Sequence, residues 1–217
     1  MNDLHVESPL EQMIREQLLE RGINDRRVID AMRSVPRERF VPPSQRENAH
    51  LGRALAIGHG QTISEPYIVA LMSAALDVQP GHRVLELGTG SGYQTAVLSR
   101  LAAEVFSIER VKPLLDAAFE RLLDLGCRNV HFRFGDGTLG WPEAAPFDRV
   151  LVAAAAPQVP RGLLLAQLVD GGHAVIPVGP GQQQQLLRIT RRGDQLEPVE
   201  LCLCRFVPLI GKEGWPE

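Results

Sequence analysis

The sequence predicts an α/β fold: a mostly parallel, doubly wound sheet preceded by an N-terminal helical appendage and ending in a C-terminal antiparallel hairpin. Three observations predict it. From His82 onward, short strand-like runs alternate with segments of helical spacing. The first of these runs, His82 to Leu87, opens directly onto Gly88-Thr89-Gly90-Ser91-Gly92. The tail holds two strand-like runs with no helix between them. Right-handed crossovers leave few topologies for such a pattern. At 217 residues there is room for one sizeable domain and an appendage. We place the appendage and its connecting loop at 1–60 and the main domain at 61–217, as one structural unit.

The elements follow in order. Ser8-Pro9-Leu10-Glu11 carries a capping serine, proline at the first helical position and the glutamate of a capping box. Leu10, Met13, Ile14 and Leu18 continue at helical spacing to a stop at Gly22. Asn24 or Asp25 caps a second helix with Val28, Ile29 and Met32 on one face, ended by Pro36. Pro42-Pro43 to Asn48 reads as an irregular connection. Beyond the glycine turn, Tyr93 to Ala102 is helical, with Val97, Leu98 and Leu101 inward; Val105 to Glu109 is a strand; and Leu114 to Leu125 is a helix closed by Gly126. Val130 to Phe134 and Phe147 to Ala153 are strands, Pro160 to Leu168 is a helix, and Gly171-Gly172 turns into the strand His173 to Val178. Leu186 to Thr190 and Val199 to Val207, split by the turn Arg192-Gly193-Asp194, form the hairpin at the sheet edge. Gln182 to Gln185 reads as loop.

Composition narrows the function classes. With 44% hydrophobic and 23% charged residues, disorder, collagen and coiled coil are excluded. A net charge of −3 gives no general attraction to nucleic acid or to an anionic membrane, so neither is expected as a partner. Cys127, Cys202 and Cys204 fit neither a disulfide framework nor a metal site, and read as buried thiols of a cytoplasmic protein. No metal is expected. Met1 to His5 lacks a signal-peptide pattern, and the longest strongly apolar run, Val150 to Ala156, falls short of the ~20 residues needed to cross a bilayer. A monomer is expected.

The glycine turn sits between strand and helix, the context in which it signals a ligand. Glycine there permits unusual dihedrals and a close approach by the ligand. Glu109, ending the next strand, is placed to accept hydrogen bonds from ribose hydroxyls. A dinucleotide fingerprint would put Gly or Ala where Tyr93 stands, and Glu86 would set a carboxylate beside a pyrophosphate. An acid suits an ammonium group instead. S-adenosylmethionine has an ammonium, a ribose and an adenine but no phosphate, which makes it the expected cofactor on a Rossmann-like methyltransferase fold. Asp136, between Gly135 and Gly137, is placed beside the adenine edge.

The sequence resembles the protein-L-isoaspartate (D-aspartate) O-methyltransferases, bacterial branch. The matching blocks include Val35-Pro36-Arg37-Glu38-Arg39-Phe40-Val41-Pro42, Gly60-Gln61-Thr62-Ile63-Ser64-Glu65-Pro66-Tyr67 and Val84 to Val97. Gly135-Asp136-Gly137, Gly171-Gly172, Ile176-Pro177-Val178-Gly179 and Phe206-Val207-Pro208-Leu209 continue them. The block around Gln61 to Ser64 makes the resemblance specific, since the glycine turn alone indicates only a methyltransferase. The resemblance implies transfer of a methyl group to the free α-carboxylate of an isoaspartyl residue in a damaged protein or peptide. The ester then collapses to a succinimide that reopens partly to aspartate. It implies Ser64 as the catalytic residue. It also implies a cofactor pocket of Gln61, Thr62, Ile63, Glu86, Gly88, Thr89, Gly90, Glu109, Asp136 and Gly137. Two positions depart from the family pattern: Ala56 stands where proline is usual, and Ala153 where threonine is common.

A carboxylate acceptor, with a pKa near ~4, is already ionised at neutral pH and needs no general base. Catalysis is then mostly alignment, which fits the scattered histidines. His59, the only one near the expected site, reads as a loop residue. Ser64 has two compatible readings: a donor to the non-attacking carboxylate oxygen, and the cap of a helix carrying Ile68, Leu71, Met72 and Ala75. Arg205 and the stretch after it are candidate walls for an extended substrate peptide. Competing readings are a methyltransferase for a small molecule or RNA, a non-catalytic cofactor-binding module, and a nicotinamide oxidoreductase. The last is disfavoured by Tyr93 and Glu86.

Overall fold

The computed structural model describes residues 7–181 and 183–216; the readings of Met1 to His5 and of Gln182 lie outside them. Ser8 caps helix α1 (Pro9–Met13), its Oγ accepting the Glu11 N–H at 3.2 Å. The Glu11 side chain closes no capping box; it pairs with Arg33 at 2.7 Å. Beyond α1 the chain widens into a π-helical stretch, Ile14–Leu19, instead of continuing as one α-helix. Asp25, not Asn24, caps α2 (Arg26–Ser34), accepting the Arg27 N–H at 2.9 Å. The connection after Pro36 is more regular than the prolines suggest, because it forms two 3₁₀ segments, Arg37–Phe40 and Pro43–Asn48. A hairpin that the sequence reading missed follows, β1 (Leu55–Gly58) against β2 (Gln61–Ile63). Its turn residues Gly58, His59 and Gly60 all have positive φ, at 91°, 54° and 70°.

After α3 (Pro66–Leu76) the chain alternates: β3 (Arg83–Leu87), α4 (Tyr93–Ser99), β4 (Glu104–Glu109), α5 (Lys112–Asp124), β5 (Val130–Phe134), β6 (Phe147–Val152), α6 (Arg161–Gln167) and β7 (Leu168–Val178). The hairpin β8 (Gln184–Arg192) and β9 (Gln195–Cys204) closes it. The seven strands form one sheet in the order β5-β4-β3-β6-β7-β8-β9. Pairing is parallel from β5 to β7 and antiparallel through β8 and β9. The chain leaves β3 toward β4 on one side and returns to β6 on the other, so a crevice opens at the carboxyl ends of these strands, where α/β sheets bind ligands.

Three readings near the tail need correction. β7 starts directly at the end of α6, so Gly171-Gly172 lies inside the strand, at an irregularity in its register with β6. A Cβ on Gly172 would stand 2.9 Å from the Val169 carbonyl oxygen. Gln184 and Gln185 are strand rather than loop: the Gln184 side chain accepts the Phe206 N–H at 2.7 Å and donates to the Gly181 carbonyl at 3.0 Å. β9 ends at Cys204, leaving Val207 outside it. All three cysteines are free, but only Cys127 is buried; Cys202 and Cys204 are half-buried.

Alternation along the strands sends Val84, Val105, Leu151 and Val175 into one core and Leu85, Leu87, Phe106, Val150 and Ile176 into the other. The first core also takes Met13, Leu18, Val28, Met32 and Phe40. The N-terminal helices thus pack into the same core as the sheet. Among the described residues, no helix is long and apolar enough to cross a membrane.

Candidate active site

The crevice is walled by Gln61 to Ser64 on one side, floored by Gly88, Thr89 and Gly90, and bounded by Glu109, Gly137, Ala153 and Val207. Together with the open solvent at its mouth it encloses about 890 Å³ of space free of protein atoms. Gly88, Gly90 and Gly92 adopt φ of 97°, 54° and 85°, conformations that side chains resist. The next strand holds the turn in place: Glu109, only 6% exposed, accepts the Gly90 N–H and the Val111 N–H through its two oxygens, each at 2.8 Å. Each oxygen keeps a further lone pair for a ligand hydroxyl.

Two acids of the expected pocket are not on its wall. Glu86 is fully buried beneath the turn. Its Oε2 accepts from Thr95 Oγ1 and Ser107 Oγ, both at 2.6 Å, and Ser107 Oγ lies 2.6 Å from Thr89 Oγ1. Glu86 therefore acts on the crevice through Ser107 and Thr89 rather than by facing a ligand's ammonium group. Burial pushes its pKa up to about 7, against the opposing pull of the two hydroxyls. Asp136 is engaged by the chain itself. Its Oδ1 accepts from Thr138 N–H and Oγ1, and its Oδ2 accepts from Lys212 N–H at 2.8 Å. Burial works to raise its pKa, but these donors hold it below the usual carboxylate range. The segment meets the crevice through Gly137.

Ser64 is half-buried and borders the crevice. It does not cap α3: Glu65 is the N-cap residue and Pro66 the first helical position. A second crevice shares Thr62, Ser64, Ala153 and Val207 with the first and adds Arg205 and Phe206. It holds about 810 Å³ including its mouth. Ser64 thus stands at the junction of two spaces, and Arg205 on the rim of the outer one, exposed. His59 lies exposed in the β1–β2 turn and lines neither space. The sequence reading missed Thr95 and Ser107, although polar residues at inward positions of α4 and β4 were the available signal.

No group of three His, Cys, Asp or Glu side chains able to hold a metal occurs among the described residues. The charged residues that line the crevice are Glu109, fixed by two backbone N–H groups, and Arg110. Residues 8–214 match the family model described as protein-L-isoaspartate(D-aspartate) O-methyltransferase. The chain is 55% identical over 207 residues to protein-L-isoaspartate O-methyltransferase 2 of Pelobacter propionicus, covering 94% of this chain and 92% of that one. It is 56% identical over 199 residues to the protein-L-isoaspartate O-methyltransferase of Anaeromyxobacter dehalogenans, covering 90% and 95%. A solved Plasmodium falciparum structure, assigned to the same enzymes and holding S-adenosyl-L-homocysteine, superposes with a TM-score of 0.81 at 26% identity, covering 94% of this chain and 99% of that one. The chain belongs to the protein-L-isoaspartate(D-aspartate) O-methyltransferase family.

Proposed function

We infer that the chain is a protein-L-isoaspartate O-methyltransferase, which esterifies the free α-carboxylate of isoaspartyl residues in damaged proteins and peptides and so starts their repair through a succinimide. The observation that carries the reading is the position of Ser64, which borders both the crevice floored by the glycine turn and the outer space that Arg205 lines.

The residues fit S-adenosylmethionine. Gly90 presents no Cβ to the floor, and one built there would meet nothing closer than 3.9 Å, so the space above it is free. Gly88, Thr89, Gly90 and Gly137 would cradle it, Glu109 would accept hydrogen bonds from its ribose hydroxyls, and Gln61, Thr62 and Ile63 would cover the opposite side. When bound, the cofactor supplies an electrophilic methyl group on a sulfonium. The chain's own residues do the rest. The acceptor carboxylate enters from the outer space already ionised, so no side chain has to remove a proton. The Ser64 hydroxyl donates to the non-attacking oxygen and fixes the carboxylate's rotation, which brings the other oxygen into line. Ala153, without the family's usual hydroxyl, leaves Ser64 and Thr62 as the hydroxyl residues that border both spaces. The free thiols of Cys127, Cys202 and Cys204 accord with a reducing cytoplasm, where the enzyme acts as a monomer.

The test uses radiolabelled S-adenosylmethionine and paired peptides that differ only in an aspartyl or isoaspartyl linkage. Base-labile label on the isoaspartyl peptide alone is the expected result. Label on both peptides, on neither, or on RNA would contradict the reading.

A further inference from the structure

Arg37 is the largest fully buried side chain of the protein, at 0% exposure, and it forms no ion pair with any described residue. Burying a guanidinium is costly, because the charge gives up its hydration. The two good hydrogen bonds it makes are both to main-chain carbonyls. Nε donates to Ala49 at 2.7 Å and Nη2 donates to Ser64 at 2.6 Å. Nη1 and the buried hydroxyl of Tyr93 make no hydrogen bond of good geometry, yet the two side chains attract one another, the Tyr93 ring lying 4.7 Å from the guanidinium carbon. Phe40 braces that ring edge-on at 5.3 Å between centroids. Tyr93 is the first residue of α4 and lines the crevice. One side chain therefore touches both walls of the site: the acceptor loop through Ser64, and the end of the glycine turn through Tyr93.

We propose that Arg37 is a positioning residue for methyl transfer, fixing the Ser64 main chain against the glycine-turn wall and setting a positive charge behind the acceptor carboxylate. The inference rests on the reading of Ser64 given above. A charge-assisted hydrogen bond to the Ser64 carbonyl fixes the peptide that follows its Cα, and with it the direction of the hydroxyl. β2 pairing at Ile63↔Leu55 holds the chain just before Ser64, and Pro66 starts α3 just after it. The carbonyl between them is the remaining free point, and Arg37 takes it. In a low-dielectric interior a cation whose neighbouring carboxylate, Glu65, stays outside ion-pair distance also favours an anion on the far side of the peptide it holds. Lysine keeps the charge but cannot fork to Ala49 and Ser64 together.

The experiment compares Ser64→Ala, Arg37→Lys, Arg37→Gln and the double variant Ser64→Ala/Arg37→Lys, with turnover expressed per molecule able to bind S-adenosylhomocysteine. Arg37→Lys should lower kcat about 10-fold or more, the worth of one hydrogen bond to a charged group. Its KM for S-adenosylmethionine should stay within about 2-fold, because Glu109 holds that wall independently. Arg37→Gln, which also loses the charge, should in addition raise KM for the isoaspartyl peptide. In the Ser64→Ala background, Arg37→Lys should add less than about 3-fold, since both act through one hydroxyl. Wild-type turnover in both Arg37 variants, full multiplication of the two single effects, or loss of fold in both Arg37 variants would each overturn the proposal. A silent Ser64→Ala removes the Ser64 reading and this inference with it. A crippled Ser64→Ala beside a wild-type Arg37→Lys removes the inference alone.

Discussion

The Glu109 carboxylate accepts the Gly90 N–H at 2.8 Å, so the last residue of β4 holds the turn that leaves β3. Both of its oxygens take backbone N–H groups, Val111 being the second. Glu109→Gln is therefore not a neutral exchange: wherever the new NH₂ points, it faces an N–H donor. Hydrogen bonds to a charged group contribute about 1.5–3 kcal/mol, so S-adenosylhomocysteine should bind roughly 10- to 100-fold more weakly, by calorimetric titration. Affinity within 3-fold of wild type would show that the turn holds itself.

Gly92→Ala should unfold the same region from behind. Gly92 has φ of 85° and caps α4, and an added Cβ would lie 2.6 Å from Leu122 Cδ1 and 3.1 Å from Ala118 Cβ on α5. Left-handed strain of about 1–2 kcal/mol joins an overpacking cost of about 1–3 kcal/mol. Thermal melts should show a loss of roughly 5 °C or more at this chain length. Gly90→Ala has the strain without the collision, its nearest contact being 3.9 Å, and should melt closer to wild type.

What the sequence disclosed and what it hid divide by the range of the interaction. The strand, turn and helix from Val84 to Val97, and Glu109 after the next strand, were legible because apolar runs and glycines carry that information locally. The β1–β2 hairpin was not: three- and four-residue strands give no period, and only Gly58 and Gly60 around His59 hinted at a left-handed turn. Gln184 reads as polar loop, yet the Phe206 N–H and the Gly181 carbonyl satisfy its amide and make it a strand residue. Glu86 and Asp136 read as cofactor contacts in the sequence, but hydrogen bonds to Thr95 and Ser107 for one and to Thr138 and Lys212 for the other turn them away from the crevice wall.

Arg205 borders the outer space and is exposed. An exposed charge contributes about 0.2–1 kcal/mol to a partner, so Arg205→Ala should raise KM for isoaspartyl peptides about 2- to 5-fold and leave kcat unchanged. The effect should be largest for peptides with acidic flanks and should shrink in high salt, where exposed charges are screened. A uniform effect across neutral, basic and acidic peptides would remove Arg205 from substrate recognition.

Glu86 gives stability a pH dependence whose sign is fixed by its burial. Its pKa rises from 4.5 to about 7, so between these values the folded protein binds a proton that the unfolded chain has released. Stability must then fall as pH rises through that window. The contribution of the neutral acid is fully present below 4.5 and lost as pH passes 7. Glu86→Gln keeps the shape, stays neutral at every pH, and retains an acceptor oxygen for Thr95 and Ser107. Urea denaturation at pH 5 to 8 should show wild type losing stability relative to the variant by roughly 3 kcal/mol, from about 1.4 kcal/mol per pKa unit. The two proteins should converge toward pH 5. Every other titrating group is common to both and cancels in the difference. Parallel stability curves would mean that the carboxylate is ionised in the folded protein throughout, with the hydroxyls of Thr95 and Ser107 outweighing its burial.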